Sequence, residues 1–262
     1  MEKNKAVQID PYSASTMPMF MCFGDTKLAR GTCFCWEHQE RLYLITNWHN
    51  LSGRNPETGK HLSNSLAEPD RVHVAFKDPK ELGRGKFSEI KLFDTDGLPV
   101  WQVHPTLREK VDIAAIPFEH DETVSCFPIN RNQEHPLKIE IGDDVFVLGY
   151  PFEPIFAGLP VWKRGSIASE PQISPDQQRH LLVDTASRPG MSGSPVIIRS
   201  KSVHRLDNQE TKVEAGIWTR FVGVYSGRIK SKDALDTQLG LIWPRELLVE
   251  LLEGQTRDRP PR

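Results

Sequence analysis

The chain has 262 residues, 38% of them hydrophobic and 26% charged, which describes a globular protein with a substantial core. A formal net charge of −2 leaves no electrostatic footprint for nucleic acid or for an anionic membrane surface, so neither is expected as a partner. No apolar run is long enough to span a bilayer, and residues 1–10 lack the apolar stretch of a secretory signal, so a cytoplasmic location is expected.

Residues 1–15 are polar and irregular and read as a loosely held arm. From about 17 to 127 the pattern predicts a first β-barrel, with strands near 18–23, 30–36, 41–46, 72–77, 88–93, 99–104 and 111–116. Residues 52–70 are rich in Gly, Asn, Pro, Ser and charge and read as a long exposed loop, and Asp96-Gly97 marks a turn between strands. A polar connection over 128–136 leads to a second barrel over 138–243. Its strands are expected near 144–149, 161–169, 180–185, 195–199, 215–228 and 239–243, with 201–214 as a polar hairpin loop. Pro244 is suited to a helix start, and Leu247, Leu248, Leu251 and Leu252 follow at helical spacing, which predicts a terminal helix over 244–254. Residues 257–262 read as a disordered tail. The expected fold class is all-β: one domain over residues 1–262, made of two packed antiparallel barrels and a C-terminal helix.

The most informative segment is Arg188-Pro189-Gly190-Met191-Ser192-Gly193-Ser194-Pro195. Gly190 and Gly193 free the backbone on both sides of the Ser192 hydroxyl, and the prolines fix the turn. A serine that attacks a carbonyl needs such an exposed tight turn, with N–H groups aimed at the developing oxyanion. Taken alone, the peptide equally describes a Gly/Ser turn between strands. Upstream, Leu42-Tyr43-Leu44-Ile45 reads as a buried strand, and His49 follows just beyond its end, at the edge of a cleft or as a satisfied structural imidazole. In Val111-Asp112-Ile113-Ala114-Ala115-Ile116-Pro117 a single carboxylate stands inside an apolar strand and requires a donor nearby. An acid that orients an imidazole, an imidazole that takes a proton and a serine that attacks make one relay.

Six segments in chain order together resemble the trypsin-like (chymotrypsin-fold) serine peptidases, from about Arg30 to Leu252. They are Gly31-Thr32-Cys33-Phe34, Ile45-Thr46-Asn47-Trp48-His49, Val111-Asp112-Ile113-Ala114, Gly142-Asp143-Asp144-Val145 with Gly149-Tyr150-Pro151, Asp184-Thr185-Ala186, and Gly190-Met191-Ser192-Gly193-Ser194-Pro195. The order His, Asp, Ser is the one found in the double-barrel proteases. The resemblance is to the bacterial subgroup that contains the HtrA/Deg proteases, with no stretch left for a PDZ domain. It implies two six-stranded barrels and a serine endopeptidase in which His49 is the general base, Asp112 orients it and Ser192 is the nucleophile. The Gly190 and Ser192 N–H groups are implied as the oxyanion hole, and no cofactor or metal is required. It further implies a protein or peptide substrate, with Ala186 at the base of the specificity pocket and Tyr225, Ser226 and Gly227 pairing with substrate backbone.

Departures from the family pattern matter as well. Met191 stands where digestive relatives carry the aspartate that pairs with a new N-terminus, so restraint by loop order, oligomer state or a regulatory protein partner is expected, with 52–70 as the first candidate loop. With Ala186 at the pocket base a preference for Lys or Arg is not expected. Arg228 at the rim would favour an acidic residue if it reaches the pocket. Cys22, Cys33, Cys35 and Cys126 follow no disulfide or zinc spacing, and Asn50 stands where many relatives carry a bridging cysteine, so four free thiols are expected. A metal site of Cys33 and Cys35 with Cys22 or His38 is the alternative. Two further readings of the triad remain: a catalytically silent peptide-binding module on the same fold, and an esterase or acyltransferase.

Overall fold

The computed structural model describes residues 8–78, 84–119, 126–152, 158–173, 180–186, 188–228 and 238–260. The first half opens with a short helix, α1 (Pro11–Ala14), followed by β1 (Thr16–Phe23), β2 (Thr26–His38) and β3 (Arg41–Thr46). Helix α2 (Trp48–Ser52), β4 (Arg71–Lys77), β5 (Gly85–Lys91), β6 (Gln102–Val103) and β7 (Ala114–Phe118) complete it. The second half holds β8 (Asp144–Gly149), β9 (Val161–Ile167), β10 (Leu181–Asp184), β11 (Pro195–Arg205), β12 (Thr211–Arg228) and β13 (Leu239–Pro244). Helix α3 (Arg245–Gly254) and a last two-residue strand, β14 (Thr256–Arg257), close the chain.

The all-β class holds, and the second half is a closed six-stranded barrel in the order β10-β13-β12-β11-β8-β9. The first half is an eight-stranded sheet, β14-β6-β7-β3-β2-β1-β4-β5, where the pattern predicts seven strands and the resemblance implies six. The extra edge strand comes from the segment after α3, which returns to pair Thr256 with Val103 and Arg257 with Gln102. The disordered tail expected over 257–262 is therefore corrected: Arg257 and Asp258 are held against the first sheet, and 261–262 lie outside the described residues. The strand expected at 111–116 begins only at Ala114, so Asp112 precedes the strand instead of standing inside it.

Two polar segments also differ from expectation. Residues 8–15 are anchored: the Asp10 carboxylate pairs with Arg199 at 2.7 Å, and the buried Tyr12 hydroxyl hydrogen-bonds Thr219 Oγ1 at 2.7 Å. The expected loop at 201–214 is a continuing antiparallel ladder, with Val203 opposite Val213 and Arg205 opposite Thr211. What holds that arm is a stack invisible in its composition, in which Trp218 lies flat against His204 at 4.3 Å and against His135 at 4.6 Å.

Apolar side chains collect in three places: inside the first sheet, inside the closed barrel, and along the seam between them. The seam receives Phe34, Ile45 and Ile113 from the first half, Val224 and Trp243 from the second, and one face of α3. Leu247, Leu248, Leu251 and Leu252 are all fully buried there, which explains the helical spacing; each such side chain contributes about 1.5–3 kcal/mol of burial. Among the described residues no helix is long and apolar enough to cross a membrane.

Candidate active site

At one end of the seam α2 presents His49, whose neighbour Asn47 caps the helix in position but spends its amide elsewhere. Asn47 Nδ2 donates to the Asp112 carbonyl at 2.7 Å, which ties the start of α2 to the chain leading into β7. The Asp112 carboxylate in turn receives the His49 backbone N–H on Oδ1 at 2.9 Å and faces His49 Nδ1 with Oδ2 at 2.6 Å. Asp112 is 1% exposed, so its charge is tolerable only because donors surround it. A further donor is the Ser226 hydroxyl, which bonds the same Oδ2. Ser226 reaches it from β12 because the β12–β13 ladder carries a bulge between Tyr225 and Gly227, and a bulge re-aims the side chain it carries.

Ser192 arrives from the other half on the turn before β11. Gly190 has φ +99 and Gly193 has φ +86, the left-handed region that glycine enters without cost. A side chain at Gly193 would also overlap the Thr32 carbonyl, and one at Gly190 would overlap the Tyr150 carbonyl. The turn is tied down by its carbonyls: Thr32 N–H donates to Ser192 O at 2.8 Å, Thr32 Oγ1 to Gly190 O at 2.8 Å, and Asn50 Nδ2 to Ser192 O at 3.3 Å. The N–H groups divide into two sets. Those of Met191, Gly193 and Ser194 donate within the protein, whereas those of Gly190 and Ser192 have no backbone or side-chain acceptor among the described residues. Two adjacent unpaired donors beside a serine hydroxyl are what an oxyanion requires.

His49, Gly190 and Ser192 line one cavity of about 250 Å³, together with Leu62, Ser63, Ala67 and Pro69 of the 52–70 segment. Among the described residues no hydrogen bond joins the Ser192 hydroxyl to His49; such bonds often tighten only when substrate closes the site. A larger cavity of about 760 Å³ reaches Asp112 and Ser226.

The expected substrate strand is only partly where the sequence put it. Tyr225 is fully buried, its N–H donates to Ser194 O at 2.8 Å, and its carbonyl accepts from Gly193 N–H at 2.9 Å. Tyr225 is thus corrected from a substrate-binding residue to an internal brace of the turn that carries Ser192. Ser226 acts on the carboxylate, and Gly227 lies close enough that a Cβ there would sit 3.7 Å from Ser192 Oγ. Ala186 is exposed, and residues 229–237 and the Arg228 side chain lie outside the described residues. Met191 is buried inside the second barrel. Residues that sequence reasoning missed are Thr32, Asn47 and the hydrogen-bonding role of Asn50; the one available signal was the pair of asparagines flanking a histidine in an apolar context.

All four cysteines are buried and free, and burial pushes the Cys33 thiol well above its ordinary range. Among the described residues no cluster of His, Cys, Asp and Glu is arranged to hold a metal ion.

Residues 31–203 match the family model of the trypsin-like peptidase domain. A search of curated proteins found no matching sequence. Among solved structures, the Rv3671c protease from M. tuberculosis in its active form superposes with a TM-score of 0.50 at 15% identity, over 96% of this chain and 85% of that one. The serine endoprotease from Yersinia pestis gives a TM-score of 0.51 at 16% identity, over 94% of this chain and 66% of that one. At such identities the likeness speaks for the fold, and the family match covers more than half of the chain. The chain therefore belongs to the trypsin-like peptidase family, as a serine-type peptidase acting on protein or peptide substrates.

Proposed function

We propose that this chain is an endopeptidase in which His49, Asp112 and Ser192 form the catalytic triad. His49 Nε2 takes the Ser192 proton as Oγ bonds to the substrate carbonyl carbon, and the carbonyl electron pair moves onto the oxygen. Collapse of that intermediate expels the amine, which leaves with the proton from His49, and an acyl-enzyme remains. Water then repeats the sequence and releases the acid. Asp112 fixes the tautomer that carries its proton on Nδ1 and stabilises the imidazolium. The Gly190 and Ser192 N–H groups receive the oxyanion; losing one such donor costs about 3 kcal/mol in the transition state. The observation that carries the reading is the His49–Asp112 contact of 2.6 Å on an imidazole that shares its cavity with Ser192.

The cytosolic location is supported by cysteines that follow no disulfide framework in the sequence, and the bacterial subgroup by the bacterial origin of the structural neighbours. Leu62, Ser63, Ala67 and Pro69 beside His49 support control through the 52–70 segment, by its own order or by a protein partner that moves it. An apolar residue before the scissile bond remains the proposed preference, from Ala186. No nucleic acid or membrane partner is proposed. The test of the triad is labelling with a fluorophosphonate probe and mass mapping of the adduct. It should fall on Ser192 and disappear in Ser192→Ala; labelling that persists in that variant overturns the assignment.

A further inference from the structure

The segment after α3 ends beside the helix that carries the catalytic histidine. Gln255 adopts φ 44, which turns the chain out of α3, and β14 then docks on β6. The next residue, Asp258, is 9% exposed at its side chain. Its Oδ2 accepts the indole N–H of Trp48 at 2.7 Å and that of Trp101 at 3.0 Å. Its Oδ1 accepts Arg108 Nη2 at 3.4 Å and the Arg259 N–H at 2.8 Å, while its own N–H donates to the Trp101 carbonyl at 3.1 Å.

Trp48 is the first residue of α2 and directly precedes His49. That helix is five residues long and has no side-chain N-cap bond, so little within it resists a roll about its own axis. Anchors on neighbouring segments do resist it: the Asn47 amide and the His49 N–H on Asp112, the Asn50 amide on the Ser192 carbonyl, and the Trp48 indole on the Asp258 carboxylate. The last comes from farthest along the chain and is of the stronger kind, a hydrogen bond to a carboxylate in a nearly dry place. A roll of α2 moves the imidazole off the line from Asp112 to Ser192, and a misplacement of about 1 Å costs roughly a hundredfold in rate. Trp48 and Asp258 also line the 760 Å³ cavity that reaches Asp112 and Ser226, so this anchor forms part of the wall behind the triad acid.

We propose that Asp258 is a positioning residue for the reaction: through Trp48 it fixes the roll of α2 and so the direction of the His49 imidazole. The segment after α3 is thereby a working part of the active site, contributed by the chain that leaves the second barrel. This rests on His49 being the general base.

The test uses the full chain, with kcat and KM on a peptide substrate, the rate of fluorophosphonate labelling at Ser192, and Tm. Asp258→Ala should lower kcat and the labelling rate about 10- to 100-fold, with KM little changed. Asp258→Asn keeps a carbonyl acceptor and should recover most of that loss. Trp48→Phe should reproduce the loss, and Asp258→Ala added to it should contribute little more, because both remove the same contact. A lower Tm with kcat and labelling unchanged overturns the proposal, as does folded Asp258→Asn that is as slow as the alanine variant. If Asp258→Ala fails to fold, Trp48→Phe and Asp258→Asn decide by the same criteria. Wild-type protein that is not labelled at Ser192 overturns the triad assignment itself, and this proposal with it.

Discussion

In the first half of the chain the proposed reacting groups are held by other side chains, whereas in the second half the proposed nucleophile is set chiefly by the conformation of its own turn. Asp112 and His49 are oriented by Asn47, Ser226 and, through Trp48, Asp258, which lie far apart in sequence. Ser192 sits on a turn whose shape comes from two glycines in the left-handed region and whose carbonyls are tied to Thr32 and Asn50. The contrast follows from the chemistry. An imidazole must keep one tautomer and one direction, which only hydrogen-bonding partners can impose. The serine needs a hydroxyl next to two free N–H groups, which a backbone conformation supplies directly.

This difference can be broken from either side. Ser192→Ala should reduce cleavage by about 10⁶-fold with Tm almost unchanged, since the nucleophile contributes little to packing. Gly193→Ala should instead remove activity and stability together, with backbone strain alone costing about 1–3 kcal/mol and overlap with Thr32 adding to it. Urea unfolding and a peptide assay on the two variants check this, and a Gly193→Ala protein as stable as the parent would show that the turn is not backbone-held.

On the side-chain-held half, Asp112→Asn should keep the fold and slow turnover by about 10⁴-fold, because the imidazole is then held in the wrong tautomer. A loss below tenfold in kcat would mean that another acid orients His49. Ser226→Ala removes one donor and leaves Asp112 with both His49 contacts, so the expected fall in kcat is only about tenfold. A Ser226→Ala variant as slow as Asp112→Asn would make the hydroxyl, and not the carboxylate's grip on His49, the decisive contact.

The smallest effect concerns stability. Lys77 in the first half turns its ammonium in toward the Ala14 and Thr16 carbonyls, and burial lowers its pKa from 10.5 to about 8. Between those values this side chain binds more protons in the unfolded chain than in the folded one, so the Lys77 contribution to stability should rise as pH increases from about 8 to 10.5, against the opposite contribution of the buried Cys33 thiol. The gain is on the order of 1–3 kcal/mol and should be absent in Lys77→Met, as compared by denaturant unfolding across that range. Equal slopes in the two proteins would show that the ammonium is solvated in the folded state.

The same contrast explains what could be read from the sequence. Backbone requirements leave glycine and proline in fixed places, so the Gly190–Pro195 turn was legible, and so were the strands that alternate cleanly, such as β4. Asp112 announces that it needs a partner, but Asn47 is marked only by its place beside His49, and Ser226 carries no mark of that duty. Ser226 was read as part of a substrate strand because the bulge that re-aims it has no sequence signature. Asp258 and β14 were hidden inside a segment of charge and proline that composition assigns to a tail. The β11–β12 arm was hidden by polar residues on a ladder held by Trp218 between two histidines.

The most direct test of the whole arrangement is a crystal structure of the phosphonylated protein. Phosphorus should be bonded to Ser192 Oγ, with one phosphonyl oxygen about 2.7–3.1 Å from both the Gly190 and the Ser192 backbone nitrogens. A phosphonyl group on any other residue, or an oxygen turned away from both nitrogens, would contradict that arrangement.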